Sequence, residues 1–198
     1  MKEPFRADME LIRRRAREKM DQGAVTAAYR ADREQVVAVL NEVLATEIVC
    51  TLRYKNHYFM ARGVHGDTVA DEFLEHAREE EAHADQVARR ITQLGGMPNL
   101  DPEGLATRSH AEYKVSTDLE DMIREDLAAE RVAIATYSEI IRWLGDDDPT
   151  TRRMMEEILA KEEEHADDLS NLLEPSPQRQ AGAQVQALPV GQTRFPTR

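Results

Sequence analysis

Two short runs of the same form, Glu80-Glu81-Ala82-His83 and Glu162-Glu163-Glu164-His165, stand out in this sequence. Each is a Glu-x-x-His motif inside a long helical pattern, so its Glu and its His lie on neighbouring positions of one helix face. The predicted helix before each motif carries one Glu on its apolar stripe, Glu47 in the first case and Glu130 in the second. A charged residue on an apolar stripe needs a partner, and these six residues form a matched set.

The matched set is part of an internal repeat. Tyr54 follows Glu47 by seven residues, and Tyr137 follows Glu130 by seven. The lone Glu and the Glu of the motif are separated by 33 residues in the first half and by 32 in the second. Two helical hairpins packed against one another would bring all six groups to one level of a four-helix bundle.

Apolar periodicity and helix end signals predict an all-α, antiparallel four-helix bundle with a short extra helix before it. Asp32 and Asp148 are predicted N-caps, and Thr117 and Glu120 are predicted to form a capping box. The stretch between the second and third long helices has two prolines and three glycines, which predicts a long crossover. The predicted helices cover 5–20, 32–62, 67–94, 117–144 and 148–173, the crossover covers 95–116, and no fifth helix follows the bundle.

The chain is predicted to divide into three segments. An N-terminal extension, 1–30, holds the short helix, which is expected to pack on a neighbour. The bundle covers 31–173, and a flexible, proline-rich tail covers 174–198.

The composition limits the class of protein. Hydrophobic residues make up 41%, charged residues 32% and aromatic residues 5%, a balance that favours helices over sheet. The net charge of −12 argues against binding to DNA or to an anionic membrane. We find no apolar run of the roughly 20 residues that cross a bilayer, and no secretory signal. A single cysteine, Cys50, excludes a disulfide framework within the chain, and a cytoplasmic location is the expectation.

Four carboxylates buried together repel one another and lose their hydration. They must be protonated, paired with Lys or Arg, or bound to cations. Two divalent cations balance four carboxylates, and each His supplies a neutral nitrogen to one ion. Oxygen ligands with one imidazole per ion suit iron or manganese better than zinc. The predicted ligands are Glu47, Glu80, His83, Glu130, Glu162 and His165.

The alternative is that these residues belong to the solvated faces of Glu-rich helices. That interpretation is credible for the neighbouring Glu79, Glu81, Glu163 and Glu164. It fails for Glu47 and Glu130, which lie among Val, Ile, Leu and Ala.

Several other side chains near the motifs are open to two interpretations. Tyr54 and Tyr137 are either partners of the ligands or radical quenchers, or else aromatic residues of the core. Cys50 is a small core residue or a redox group, and His76 is a transient metal ligand or a core histidine. The remaining histidines, His57, His65 and His110, are predicted to lie on the surface.

Five segments resemble bacterioferritin: LNEVLATEI (40–48), EEEAHADQVARRI (79–91), LGGMPNL (94–100), DLAAE (126–130) and MEEILAKEEEH (155–165). The resemblance covers about 36–173. It implies a ferroxidase centre in each subunit, with the six predicted ligands around two iron ions and Glu80 and Glu162 as the bridging pair. The implied chemistry is oxidation of Fe(II) by O2 or H2O2, followed by deposition of Fe(III) in a mineral core.

Two features depart from bacterioferritin. Its haem-ligating Met follows the ligand Glu directly, and here that position is Glu81, so no haem is predicted. A fifth helix, which 24-subunit shells carry, is not expected. The chain therefore resembles the 12-subunit Dps shells of starvation-induced DNA-protecting proteins, in the subclass that has a bacterioferritin-type site, and a 12-mer is favoured over a 24-mer.

The resemblance favours an iron storage and detoxification protein. One alternative is a peroxidase or catalase with two manganese or iron ions that stores nothing. The other is a DNA-protecting starvation protein, for which the basic cluster at 13–19 is the supporting feature. The sequence leaves open the native metal, the oxidant, the pore residues and the role of the tail.

Overall fold

The computed structural model describes residues 4–63 and 66–174, and within them the chain is helical with no strand. Four long helices form the antiparallel bundle that the sequence predicts. A short helix and a 3-10 turn precede them, and a further short helix lies in the crossover. The elements are α1 (Met9–Arg15), a 3-10 turn (Met20–Gln22), α2 (Arg33–Met60), α3 (Gly66–Gln93), α4 (Leu105–Arg108), α5 (Leu119–Leu144) and α6 (Pro149–Leu173).

Carboxylates cap three of the long helices at their N-terminal ends. Asp32 accepts hydrogen bonds from the first amides of α2, and Asp148 does so for α6, with Pro149 at the first helical position. Both predicted caps are confirmed. The predicted capping box at Thr117 is wrong by one residue, because Asp118 takes the cap position and its Oδ1 accepts from the amide of Asp121 at 3.0 Å.

The N-terminal helix is shorter than the predicted 5–20, since α1 ends at Arg15 and buries no residue. Phe5 and Met20, two large hydrophobic residues within the predicted range, are exposed. An isolated helix without a packed face is unstable when short, which explains the early end. Tyr29, further along the extension, does reach the bundle, because its hydroxyl donates to Asp148 Oδ2 at 2.9 Å.

The crossover follows α2 along its length. The amide of Asn99 donates to Asn41 Oδ1, the amide of His110 donates to Thr46 Oγ1, and Arg53 Nη1 donates to the carbonyl of Glu112. The three anchors on α2 come in chain order, as a link that joins opposite ends of a bundle requires. One turn of helix, α4, interrupts the predicted irregular stretch.

Gly96 lets the start of the crossover approach α2 closely. A Cβ atom at this position would lie 2.6 Å from Cγ1 of Val37. Any side chain here would therefore push the crossover away from the helix that it follows.

Two hydrophobic clusters fill the bundle, one towards each end. The first includes Leu44, Ala84, Ala133 and Ile158, one from each long helix. The second is built around Tyr54, Ala77, Ile123 and Leu169, again one from each. On every long helix one of the predicted carboxylate ligands lies in sequence between its two cluster residues, so the carboxylates meet at the middle of the bundle.

Helix α2 corrects one expectation from the sequence. By length and composition alone Arg33–Met60 is apolar enough to cross a membrane, so the prediction that no run of the chain qualifies is wrong. The helix is apolar on more than its core face: Leu52 and Phe59 are exposed large hydrophobic residues. Core helices can pass the same test, and 56% of the apolar window is buried. The predicted tail, apart from Glu174, lies outside the described residues, and the division into three segments stays a prediction.

Candidate metal centre

The structure brings the six predicted ligands together in two overlapping groups. In each group the candidate ligand atoms lie within 4.8 Å of one another, and all six residues are buried. Glu80 and Glu162 belong to both groups, which is the position that a bridging carboxylate would have. The first group is Glu47, Glu80, His83 and Glu162, and the second is Glu80, Glu130, Glu162 and His165.

Each of the six residues has at least one buried polar atom without a hydrogen-bond partner. Buried polar groups in folded proteins are nearly always partnered, so a cluster of unpartnered atoms needs an explanation. The atoms are Glu47 Oε2, Glu80 Oε1, His83 Nδ1, Glu130 Oε2, Glu162 Oε1 and Oε2, and His165 Nδ1. Two cations bound among these atoms would satisfy them and neutralise the four carboxylates, so the donor set fits a dinuclear metal site.

The two tyrosines hold the outer carboxylates, and they do so across the repeat. The hydroxyl of Tyr54 donates to Glu130 Oε1, and the hydroxyl of Tyr137 donates to Glu47 Oε1. Burial, and then the charge of the partner Glu, raise the pKa of each phenol, so both remain donors. Each of these glutamates therefore has one oxygen fixed and the other free for a metal ion.

His165 is oriented by a carboxylate on its far side. Its Nε2 lies 2.6 Å from Glu79 Oε2, and Lys161 Nζ lies 3.2 Å from the other oxygen of that Glu. Hydrogen bonds from His165 and Lys161 outweigh burial and lower the pKa of Glu79. With Nε2 facing Glu79, Nδ1 is the nitrogen that faces the centre, and it would be the metal ligand once its proton has left.

The electrostatics of the centre favour positive charge. Burial, followed by repulsion from Glu80, raises the pKa of Glu47 to about 8, and burial raises the pKa of Glu130 well above its usual value. Burial opposes a charge on His83, but the nearby carboxylates of Glu162 and Glu47, at 3.2 and 3.4 Å from its Nδ1, raise its pKa to about 12. Burial likewise opposes a charge on His165, but the nearby carboxylates raise its pKa to about 11. Protons and metal ions would compete for the same atoms.

A buried ion cluster beside the centre was missed from the sequence. Arg53 Nε donates to Asp126 Oδ1 at 2.8 Å, and His57 Nδ1 lies 2.7 Å from Asp126 Oδ2. Arg53 therefore pairs with Asp126 and not with the glutamates of the centre. The signal in the sequence was Asp126, which lies one turn before Glu130 on α5 and therefore on a similar face of the helix.

Two of the three histidines predicted to lie on the surface are placed differently. His57 is fully buried because it pairs with Asp126, so that prediction is wrong. His110 is half-buried against Thr46, and His65 lies outside the described residues. Cys50 is buried, and burial raises the pKa of its thiol, which fits the core interpretation.

The sequence matches the ferritin-like domain over residues 37–177. The chain belongs to the ferritin-like family. It is 31% identical over 153 residues to a DNA protection during starvation protein of Pyrococcus furiosus, a match that covers 74% of this chain and 80% of that protein. The protein of the same name from Halobacterium salinarum is 36% identical over 114 residues, which are 56% of this chain and 59% of that protein. The chain thus spans less than two thirds of that relative's length.

Among solved structures, a dodecameric thioferritin, the bacterioferritin-related protein of Bacteroides fragilis, superimposes with a TM-score of 0.71. It is 31% identical in sequence, and the match covers 81% of this chain and 94% of that one. The resemblance inferred from the sequence is confirmed: the chain is ferritin-like, and it has Dps-like relatives.

Proposed function

We propose that this ferritin-like protein binds two Fe(II) ions side by side as substrate and oxidises them with O2 or H2O2. The observation that carries the proposal is the set of seven unpartnered buried atoms, contributed by six side chains, that face one space in the bundle. Iron is favoured over zinc because the donors are mostly carboxylate oxygens, with a single imidazole available to each ion.

Each ligand has a distinct role in this proposal. Glu80 and Glu162 bridge the two ions, because each belongs to both groups. Glu47 and His83 complete the first group, and Glu130 and His165 complete the second. The proposed ligands are thus Glu47, Glu80, His83, Glu130, Glu162 and His165, with Tyr54 and Tyr137 as their hydrogen-bond donors.

The chain positions its substrate before oxidation. Two Fe(II) ions held together supply the two electrons that reduce O2 to peroxide, or H2O2 to water, and both become Fe(III). Tyr54 and Tyr137 keep the outer carboxylates from rotating, and Glu79 keeps the imidazole of His165 in the tautomer that presents Nδ1.

Storage would follow from assembly into a shell. The related thioferritin is a dodecamer, and we propose a 12-subunit homo-oligomer in the cytoplasm, with the Fe(III) mineral inside. The apolar outer residues of α2 and α5 support subunit contacts, because large hydrophobic side chains on the surface mark interaction sites. Those residues are Leu52, Phe59, Val132 and Trp143.

The test is aerobic titration of the apoprotein with Fe(II), followed by sizing and an iron count on the eluted particle. Twelve chains of 22.5 kDa amount to about 270 kDa, and 24 chains to about 540 kDa. Iron well above two per chain in a particle of about 270 kDa supports a storage shell. About two ions per chain in a dimer would instead favour the alternative, a non-storing manganese or iron peroxidase or catalase.

DNA protection is a second candidate function, because relatives carry that name. The arginines of α1 (Arg13, Arg14 and Arg15) are exposed on a short helix outside the bundle. If they bind DNA, a salt-sensitive gel shift should vanish when residues 1–22 are deleted. If protection comes only from removal of Fe(II), DNA should survive Fe(II) and peroxide without a gel shift, in agreement with the acidic net charge.

The absence of haem stays a prediction. The position of the haem-ligating Met is Glu81, which is exposed and lies 3.3 Å from Lys55 Nζ through its Oε2. Added haem should therefore give no bis-thioether spectrum. A tight stoichiometric complex with that spectrum would contradict the assignment.

A further inference from the structure

A third group of possible ligands lies beside the proposed dinuclear centre. Glu72 and His76 are one turn apart on α3, and Asp168 lies on α6. His76 Nε2 is 3.4 Å from Glu72 Oε1 and 3.9 Å from Asp168 Oδ2, and the three candidate ligand atoms lie within 4.8 Å of one another. Atoms about 2.1 Å from one ion stand roughly 3 Å apart, so a small closing movement would complete the set.

His76 is packed between two aromatic rings, and neither of its nitrogens makes a good hydrogen bond within the described residues. The residue is 2% exposed, its ring stacks on that of His165 with centroids 4.1 Å apart, and the ring of Tyr54 meets it edge-on at 5.2 Å. Its Nδ1 has no hydrogen-bond partner. The other nitrogen faces two carboxylates at distances longer than a good hydrogen bond. Nε2 is therefore the nitrogen that a metal ion between these two carboxylates would bind.

The internal repeat shows that packing does not require a polar group here. His76 precedes Glu80 by four residues, and Ile158 precedes Glu162 by four. Glu72 likewise corresponds to Met154, eight residues before the motif. Both counterparts are buried hydrophobic residues. The second half of the bundle thus fills these positions with apolar side chains, whereas the first half presents a Glu and a His.

We infer that Glu72, His76 and Asp168 bind a third divalent transition-metal ion. The imidazole nitrogen and two carboxylate oxygens would bind it, and water would complete the shell, because the Glu72 and Asp168 side chains are 32% and 43% exposed. This donor set suits the same borderline ions as the dinuclear centre. That the ion is Fe(II) on its way to oxidation rests on the proposed function, whereas the binding site itself does not.

The site is placed where it could bind a metal ion before that ion enters the dinuclear centre. Its carboxylates are open to solvent, and its imidazole stacks on that of His165, a proposed ligand of the second ion. An ion held here is separated from the dinuclear centre by two stacked rings. Loss of the site should therefore slow oxidation at limiting Fe(II) and leave the rate at saturating Fe(II) unchanged.

The test counts metal ions with Co(II), which does not oxidise under the conditions that turn over Fe(II). Isothermal titration of the full-length apoprotein should give three equivalents per chain. The double variant Glu72→Gln/Asp168→Asn should give two. Because both of these side chains are partly exposed, the change is not expected to unfold the bundle. The double variant Glu75→Gln/Asp167→Asn removes the same charge from exposed neighbours on the same helices and should keep three.

His76→Phe provides a second measurement, because it keeps an aromatic ring between Tyr54 and His165 while it removes the nitrogens. It too should bind two equivalents. Two equivalents in the wild type and in every variant would overturn the third site and leave the dinuclear centre standing. One equivalent in the wild type that Glu72→Gln/Asp168→Asn removes would support the third site and refute the dinuclear centre. No tight binding in the wild type would refute both.

Discussion

Two of the places where the described bundle buries carboxylates differ in whether the carboxylate oxygens have partners. At the end of the bundle, both oxygens of Asp148 accept hydrogen bonds from Arg90, Thr151 and Tyr29. Burial opposes its charge, but these bonds and the charge of Arg90 lower the pKa of Asp148. At the middle of the bundle, burial raises the pKa of Glu47 and Glu130. Burial of charge therefore does not identify a binding site, whereas burial of unsatisfied charge does.

The largest effect is expected when one unsatisfied carboxylate is removed. Glu130→Ala should lower the rate of Fe(II) oxidation by more than about 100-fold, because even the outer partners of metal ligands cost about 10- to 100-fold when lost. Apoprotein stability should stay the same or rise, because a buried and partly unsatisfied carboxyl group disappears. Stopped-flow absorbance and thermal unfolding measure the two effects. Glu81→Ala is the control, because Glu81 is the exposed residue next to Glu80 in the first motif. Wild-type oxidation in Glu130→Ala would show that the ligand assignment is wrong.

The opposite effect on stability is expected for Asp148, whose carboxylate oxygens are all hydrogen-bonded. Asp148→Ala leaves the buried Arg90 unpaired and removes the cap of α6, which should destabilise the fold by about 3–5 kcal/mol. Denaturant unfolding of the apoprotein measures this loss. Asp147→Ala, next in the chain and exposed in a surface pair with Arg30, should change stability by less than about 1 kcal/mol. Equal losses in the two variants would remove the distinction between the two regions.

A smaller effect is expected from the hydrogen bonds that hold the ligands. Tyr137→Phe keeps the ring in the core but removes the donor to Glu47, which should cost about 10- to 100-fold in metal affinity or oxidation rate. Tyr54→Phe should have the same effect, because it removes the hydrogen-bond donor to Glu130. Tyr113, which is exposed, provides the control Tyr113→Phe. If Tyr137→Phe and Tyr54→Phe oxidise Fe(II) at the wild-type rate, the two tyrosines serve only to pack the core and do not assist the carboxylates.

The smallest effect is the dependence of metal binding on pH. The pKa of Glu47 is raised to about 8, and the pKa values of His83 and His165 are raised to about 12 and 11. These groups hold protons at pH 7, and the protons must leave before the same atoms bind metal. Affinity should therefore rise with pH, by up to about tenfold per unit for each proton released. Titration calorimetry with Mn(II) in buffers of different ionisation enthalpy counts the protons, and no release would contradict the assigned protonation.

The six residues that the structure brings together as candidate ligands could be selected from the sequence because helical spacing is local. A Glu-x-x-His motif on one face, and a Glu on an otherwise apolar stripe, specify which side chains face the core once the segment is a helix. The same reasoning failed for His57. Its burial depends on Asp126 of another helix, and no local spacing reveals that partner. It also misplaced the cap of α5, because Thr117 and Asp118 are both good caps and the local pattern does not decide between them.

The sequence by itself therefore determined the four-helix bundle, its crossover and the identity of the six candidate ligands, because these follow from periodicity along single helices. Only the tertiary structure decided which side chains of one half form hydrogen bonds with those of the other. Tyr54 of the first half holds Glu130 of the second, and Tyr137 holds Glu47. The third group of candidate ligands, at His76, also needs α3 and α6 together. Contacts between helices depend on packing angles and on the register between hairpins, which the spacing within one helix does not contain.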